Sequence, residues 1–132
     1  MTYALDSNII SYLLKNNHAV KQNFQNAINN NHYYVIPPIV YYEVKRWLKT
    51  RSAMKQLQFL SDLYLSSVQN DMTSDVWGKS VEIYTQLRQS GITVDDADIF
   101  TAAYCIVNNY TLVTNNTKHF KYINEMNFEN WT

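Results

Sequence analysis

At 132 residues the chain suits one domain with one buried core, so residues 1–132 are expected to fold as a unit. Its 11 Lys and Arg balance 11 Asp and Glu, so no net charge draws it to nucleic acid or an anionic membrane, and such a partner must be met by a local patch. The single cysteine, Cys105, excludes an internal disulfide and a Cys-rich zinc site, while Gly78 and Gly91 alone cannot build the glycine-rich phosphate loops of P-loop or Rossmann proteins.

The chain opens with MTYALDSNII, where Asp6 and the lack of a basic leading stretch argue against a signal peptide; no later run approaches the length of a membrane span. A reducing cytoplasm is the expected location. Tyr3 to Leu5 predict a short strand ending at Asp6, and Ser7 is placed to cap a helix carrying Ile9, Ile10, Leu13 and Leu14. An asparagine-rich polar helix follows to about Asn30. Tyr33 to Ile36 are β-rich and stop at Pro37-Pro38, giving a second strand. From Ile39 the pattern Ile39, Val40, Glu43, Val44, Trp47, Leu48 has helical period, and Met54, Leu57, Leu60, Leu63 and Tyr64 continue it in another helix. Val68 to Met72 predict a short strand. Thr73 or Ser74 then caps a helix with an inner face of Val76, Trp77, Val81, Tyr84 and Leu87, closed by Gly91. Asp95-Asp96 start a helix bearing Ile99, Ala102, Ala103 and Ile106, and Thr111 to Thr114 form a strand. Alternating strands and helices predict an α/β fold: a parallel sheet of four to five short strands covered by helices on both faces.

Glu43 shares a helix face with Ile39, Val40 and Trp47 instead of pointing to the polar side. A carboxylate on such a stripe costs several kcal/mol unless paired or metal-bound. A salt bridge, a place at the edge of the stripe and a functional site all account for it. Asp6 closes strand one, Asp98 falls in the first turn of a later helix, and Asn115-Asn116 close the strand that begins at Thr111. In an open parallel sheet, ligands gather beyond the carboxyl ends of the strands where strand order reverses, and all these residues fall at that edge. Singly, Asp6 and Asp98 also suit helix N-termini, and Asp95 or Asp96 suits a cap. Three carboxylates brought together repel and take up protons unless a cation neutralises them, and hard oxygen donors select magnesium or manganese.

These residues carry a family resemblance. LDSNII resembles the start of a PIN domain, where an aspartate ends strand one ahead of Ser or Thr, Asn and an apolar helix. IPPIVYYEVKR resembles the segment that sets a glutamate on the helix after strand two; ADIFTAAYC resembles the Asp-centred segment, and LVTNNTKHF the last strand and its turn. With a closing FENW, the ordered set covers almost the whole chain and resembles the VapC-type toxins that cut initiator transfer RNA. The resemblance implies a PIN-like α/β/α sandwich and a Mg2+-dependent endoribonuclease, with Mn2+ as a substitute ion. It further implies that Asp6, Glu43 and Asp98 hold the metal and that the fourth catalytic position falls at Asn116. That position is acidic in the family and neutral here, so the site loses a charge, part of which Asp95 or Asp96 is placed to supply. A homodimer and a VapB-type antitoxin whose tail occludes the acidic pocket, in a complex that extends to higher hetero-oligomers, complete what the resemblance implies.

Metal-assisted phosphodiester hydrolysis follows, with no covalent protein intermediate. Asn8, Thr114, Asn115 and Thr117 are placed to orient water or phosphate. His119 is either an acid or a surface histidine beside Phe120. Lys45, Arg46, Lys49, Arg51 and Lys55 form a basic stretch with no Asp or Glu between Glu43 and Asp62, a phosphate track or an ordinary solvated helix face. Asn115 and Lys118 are the RNA-binding candidates on the other side. Tyr41 and Tyr42 are the tyrosines best placed to stack on bases, while Tyr64 and Tyr84 sit at core spacing. The alternative is a catalytically weak PIN fold acting as an RNA-binding or scaffold module, which neutral Asn116 motivates. A receiver-like phosphoacceptor ranks last, because Asp6 stands alone after strand one and no lysine ends the late strand.

Overall fold

The computed structural model describes all 132 residues. β1 (Thr2–Leu5) is followed by α1 (Ser7–Leu14) and α2 (His18–Asn29), then by β2 (Tyr33–Val35), α3 (Pro38–Thr50) and α4 (Met54–Leu65). α5 (Ser74–Gln89) and α6 (Asp96–Asn108) lead to β3 (Thr111–Val113), α7 (Thr117–Phe120) and β4 (Phe128–Glu129). The four strands are parallel, in the order β2-β1-β3-β4. The chain steps from β1 to one side for β2 and later returns to the other side for β3, so the strand order reverses at β1.

Successive strand residues point to opposite faces, and both faces here are covered. Ala4, Val35 and Leu112, in register across three strands, meet Val76, Ile83, Leu87, Ile99, Ala102 and Phe120. Leu5 and Val113, equally in register, meet Ile9, Ile10, Val20, Val40, Leu48 and Leu60 on the other side. Burying side chains of this size contributes roughly 1.5–3 kcal/mol each, which is what holds two helical layers on a sheet of such short strands. The α/β/α sandwich is therefore as expected. Cys105 is wholly buried and burial pushes its thiol pKa up, making it a core residue rather than a nucleophile. No helix is long and apolar enough to cross a membrane.

The abundance of asparagine has a structural outlet. Asn16, Asn31 and Asn109 follow α1, α2 and α6 with φ of 57°, 62° and 57°, the left-handed turn that Gly91 makes after α5 at 71°. In a chain with two glycines, asparagine is the side chain that tolerates this conformation best.

Several expectations need correction. Asp6, not Ser7, caps α1, and Ser7 is the first helical residue. Val68 to Met72 form no strand: Val68 makes one isolated bridge to Val35, and the chain then turns so that Asn70 meets the hydroxyls of Tyr104 and Tyr110. The buried stripe of α5 is Val76, Ser80, Ile83 and Leu87, whereas Trp77, Val81 and Tyr84 lie outside at 47%, 67% and 44% exposure. Spacings of four, three and four keep that stripe on one side, and Ser80 is tolerated there because its Oγ donates to the Val76 carbonyl at 2.8 Å. Strand β4 was not anticipated; it is two residues long and is held by Leu112 N–H and Thr114 N–H donating to the carbonyls of Asn127 and Glu129.

Candidate active site

Asp6 is fixed first through its backbone. It follows β1, where its N–H donates to the Val113 carbonyl at 3.0 Å, and it caps α1, its Oδ1 accepting from Ser7 N–H at 2.8 Å. Its Oδ2 accepts from Thr114 Oγ1 at 2.8 Å and Asn8 Nδ2 at 3.2 Å. The fully buried Thr114 hydroxyl accepts in turn from Asn116 N–H at 3.0 Å. Asn8 Oδ1 accepts from Asn115 N–H at 3.0 Å, and Asn115 Nδ2 donates to the Tyr12 hydroxyl at 3.1 Å. These bonds sustain a carboxylate that is only 4% exposed.

Glu43 and Asp98 reach the same edge from α3 and from the first turn of α6. The pKa of Glu43 is raised by burial first, then by the charge of Asp6, with Arg46 opposing and Asp98 adding to the rise. That of Asp98 is raised by burial first, lowered by its hydrogen bond to His119, and raised again by Asp6 and Asp95. Asp6 and Asp98 thus act on Glu43, and Asp6 on Asp98, so three acids far apart in sequence lie within electrostatic reach in the fold. They do not close into a ligand cluster in this conformation: no group of three His, Cys, Asp or Glu side chains has metal-binding spacing. Oδ2 of Asp98 is 2.9 Å from His119 Nδ1. Glu43 occupies the edge of the α3 stripe, beside buried Val40, Val44 and Leu48, and Trp47 marks the rim.

Two clefts flank these acids. One, of about 350 Å³, lies between α1 and α3 and is lined by Ser7, Asn8, Ser11, Glu43, Arg46 and Trp47 among others. The other, of about 140 Å³, is lined by Asp95, Asp98, Lys118, His119 and Tyr122 with the loop from Ile92 to Val94. Arg46 and Lys118 thus line separate clefts, one with Glu43 and the other with Asp98. Lys45 packs on the Tyr41 ring with its Nζ 5.2 Å from the ring centre, and Lys49 is exposed in the last turn of α3. Tyr41 stacks on Tyr64 at 4.1 Å, whereas Tyr42 is 55% exposed beneath the Arg46 guanidinium. Tyr84 is not a core residue. Asn115 is engaged with Asn8 and Tyr12, while Asn116 is exposed at the start of α7. Ser11 and Trp47 were not anticipated as cleft residues. The signal for Ser11 was its spacing of four from Ser7 on the face of α1 opposite buried Ile9, Ile10 and Leu13.

The PIN domain family matches residues 3–125. The chain belongs to the PIN-domain family. Within that family it is similar to Ribonuclease VapC2 of Rickettsia felis, at 31% identity over 132 residues that cover 99% of this chain and 98% of that one. The solved VapBC2 of Rickettsia felis, bound to a DNA fragment from its promoter, contains a chain that superposes with a TM-score of 0.88 at 30% identity, covering 100% of both. DNA-bound VapBC from Salmonella typhimurium gives a TM-score of 0.87 at 20% identity over 100% of this chain and 99% of that one, a likeness of fold. This PIN domain therefore falls among the VapC ribonucleases in both sequence and fold.

Proposed function

We propose that this PIN domain, a single unit over residues 1–132, is a metal-dependent endoribonuclease toxin of the cytoplasm that hydrolyses RNA phosphodiester bonds. Transfer RNA is the substrate class, initiator tRNA its specific member, and a VapB-type antitoxin the neutralising partner. The observation that carries this reading is the PIN-family match over residues 3–125, with Asp6, Glu43 and Asp98 placed near the point where strand order reverses.

The oxygen chemistry of the three carboxylates suits a hard divalent ion, which would draw them together from the spacing described above. Carboxylates whose protonation is favoured by burial and by one another are stabilised in ionised form by a cation between them, and oxygen donors suit Mg2+, with Mn2+ as a substitute. Asp6, Glu43 and Asp98 would hold it; when bound, it supplies polarisation of the scissile phosphate and a lowered pKa for water. The chain's own groups do the rest. Thr114 and Asn8 fix Asp6. The exposed Asn116 amide is positioned to orient water at the fourth catalytic position. Arg46 and Lys118 take phosphates in their separate clefts, with Lys45 and Lys49 adding longer-range attraction that weakens as salt rises. Two copies associate as a homodimer.

Purified protein is expected to cleave tRNA with Mg2+ present, to stop on chelation and to resume on adding Mg2+ back. Asp98→Asn is expected to lower the rate by more than the roughly 10–100-fold lost when a group merely supporting a metal ligand is removed. Cleavage that survives chelation contradicts the proposal. Neutral Asn116 favours a second reading, an RNA-binding or scaffold module; RNA binding without metal-dependent cutting, unchanged in Asp98→Asn, would select it.

A further inference from the structure

The three acids are restrained very unequally. Both oxygens of Asp6 accept hydrogen bonds, from Ser7, Thr114 and Asn8. Glu43 makes no ion pair within the chain and borders the cleft between α1 and α3. Asp98 has one side-chain partner, His119, whose Nδ1 lies 2.9 Å from Oδ2. An ionised carboxylate can only accept, so with Asp98 ionised Nδ1 is the donor in this contact.

The imidazole is placed by the segment that also fixes Asp6. His119 N–H donates to the Asn116 carbonyl at 3.0 Å, Asn116 N–H donates to Thr114 Oγ1 at 3.0 Å, and Thr114 Oγ1 donates to Asp6 at 2.8 Å. The adjacent Phe120 is wholly buried and anchors α7. Residues 114 to 119 therefore touch both aspartates from one stretch of backbone.

We infer that His119 is a positioning residue for metal capture, its Nδ1 holding Oδ2 of Asp98 and so fixing that carboxylate before an ion binds. The inference rests on the reading of the three acids as a metal site. A group that orients a ligand lowers the cost of ordering it when the ion binds, and losing such a group typically weakens metal affinity about 10–100-fold. His119 is half-exposed and outside the core, so replacing it should leave the fold intact.

Calorimetric titration of Mn2+ into the metal-free full-length protein, without RNA, tests this. Asparagine presents an amide N–H near the position of Nδ1, and glutamine presents one near Nε2. His119→Ala and His119→Gln are expected to weaken Mn2+ binding about 10-fold or more, and His119→Asn to bind within about 3-fold of wild type. Thermal melts check that each variant is folded, and His119→Asn still reads the outcome should His119→Ala unfold. Equal Mn2+ affinity in wild type, His119→Ala and His119→Asn overturns the inference, as does rescue by glutamine in place of asparagine. Wild-type protein that neither binds Mn2+ nor cleaves RNA defeats the metal-site reading itself, an outcome separate from a wild type that binds and variants that bind equally well.

Discussion

Glu43 sits where the folded protein disfavours its charge: burial, Asp6 and Asp98 raise its pKa, and Arg46 only partly opposes them. A carboxyl whose folded pKa lies above its unfolded value binds its proton more tightly in the folded state. Stability therefore falls as pH rises from the ordinary carboxylate range through the raised folded value, and the full penalty is present at neutral pH. Glu43→Gln removes this charge. In metal-free protein the variant is expected to melt roughly 1–4 °C above wild type at neutral pH, with the gain disappearing as pH falls through the ordinary carboxylate range, where Glu43 is protonated in the unfolded chain as well. Because Glu43 is partly exposed, solvent screening keeps the effect at this modest scale. Thermal melts across pH check it; a variant less stable than wild type at neutral pH would mean that Glu43 serves the fold through Arg46. The same substitution should abolish RNA cleavage, so that stability and activity move in opposite directions.

At the scale of elements, α5 presents two chemically similar faces, and only one is buried within the chain. Val76, Ile83 and Leu87 are buried against α6 and the sheet, while Trp77, Val81 and Tyr84 form an exposed apolar stripe. The Trp77 ring meets Phe100 of α6 edge-on at 5.1 Å, extending the stripe across a groove of about 280 Å³ that also includes Ser80 and Ile99. A contiguous apolar surface of this kind marks an association site, and it is where the proposed homodimer is expected to close. Val81, the most exposed of the three, lies between the two aromatics along the helix. Val81→Lys is expected to weaken self-association by about 30-fold, the loss of roughly 2 kcal/mol at a central contact, while leaving the melting temperature of the monomer nearly unchanged. Sedimentation equilibrium measures this. Unchanged association would place the dimer contact elsewhere.

Across the whole molecule, what the chain displays locally could be read from its sequence and what depends on tertiary approach could not. β1, β2, β3 and the helices between them follow from apolar runs, helical periodicity and stop signals such as Pro37-Pro38 and Gly91. The acids at positions 6, 43 and 98 were legible because two end or begin elements at the carboxyl edge of the sheet and the third borders an apolar stripe. β4 has too few residues for any pattern, and its pairing depends on the carbonyls of Asn127 and Glu129. The buried face of α5 was misread because aromatic residues outweighed spacing. The contact between Asp98 and His119 spans 21 residues, and the cleft between α1 and α3 exists only after those helices pack.

Distant acids meeting at the reversal of strand order give the molecule its proposed chemistry, and manganese offers the most direct view of that meeting. Crystals of the protein grown or soaked with Mn2+, examined by anomalous scattering, are expected to show a single strong peak about 2 Å from carboxylate oxygens of Asp6, Glu43 and Asp98 together. A map with no peak among them, or with a peak that one of the three does not touch, would contradict the account.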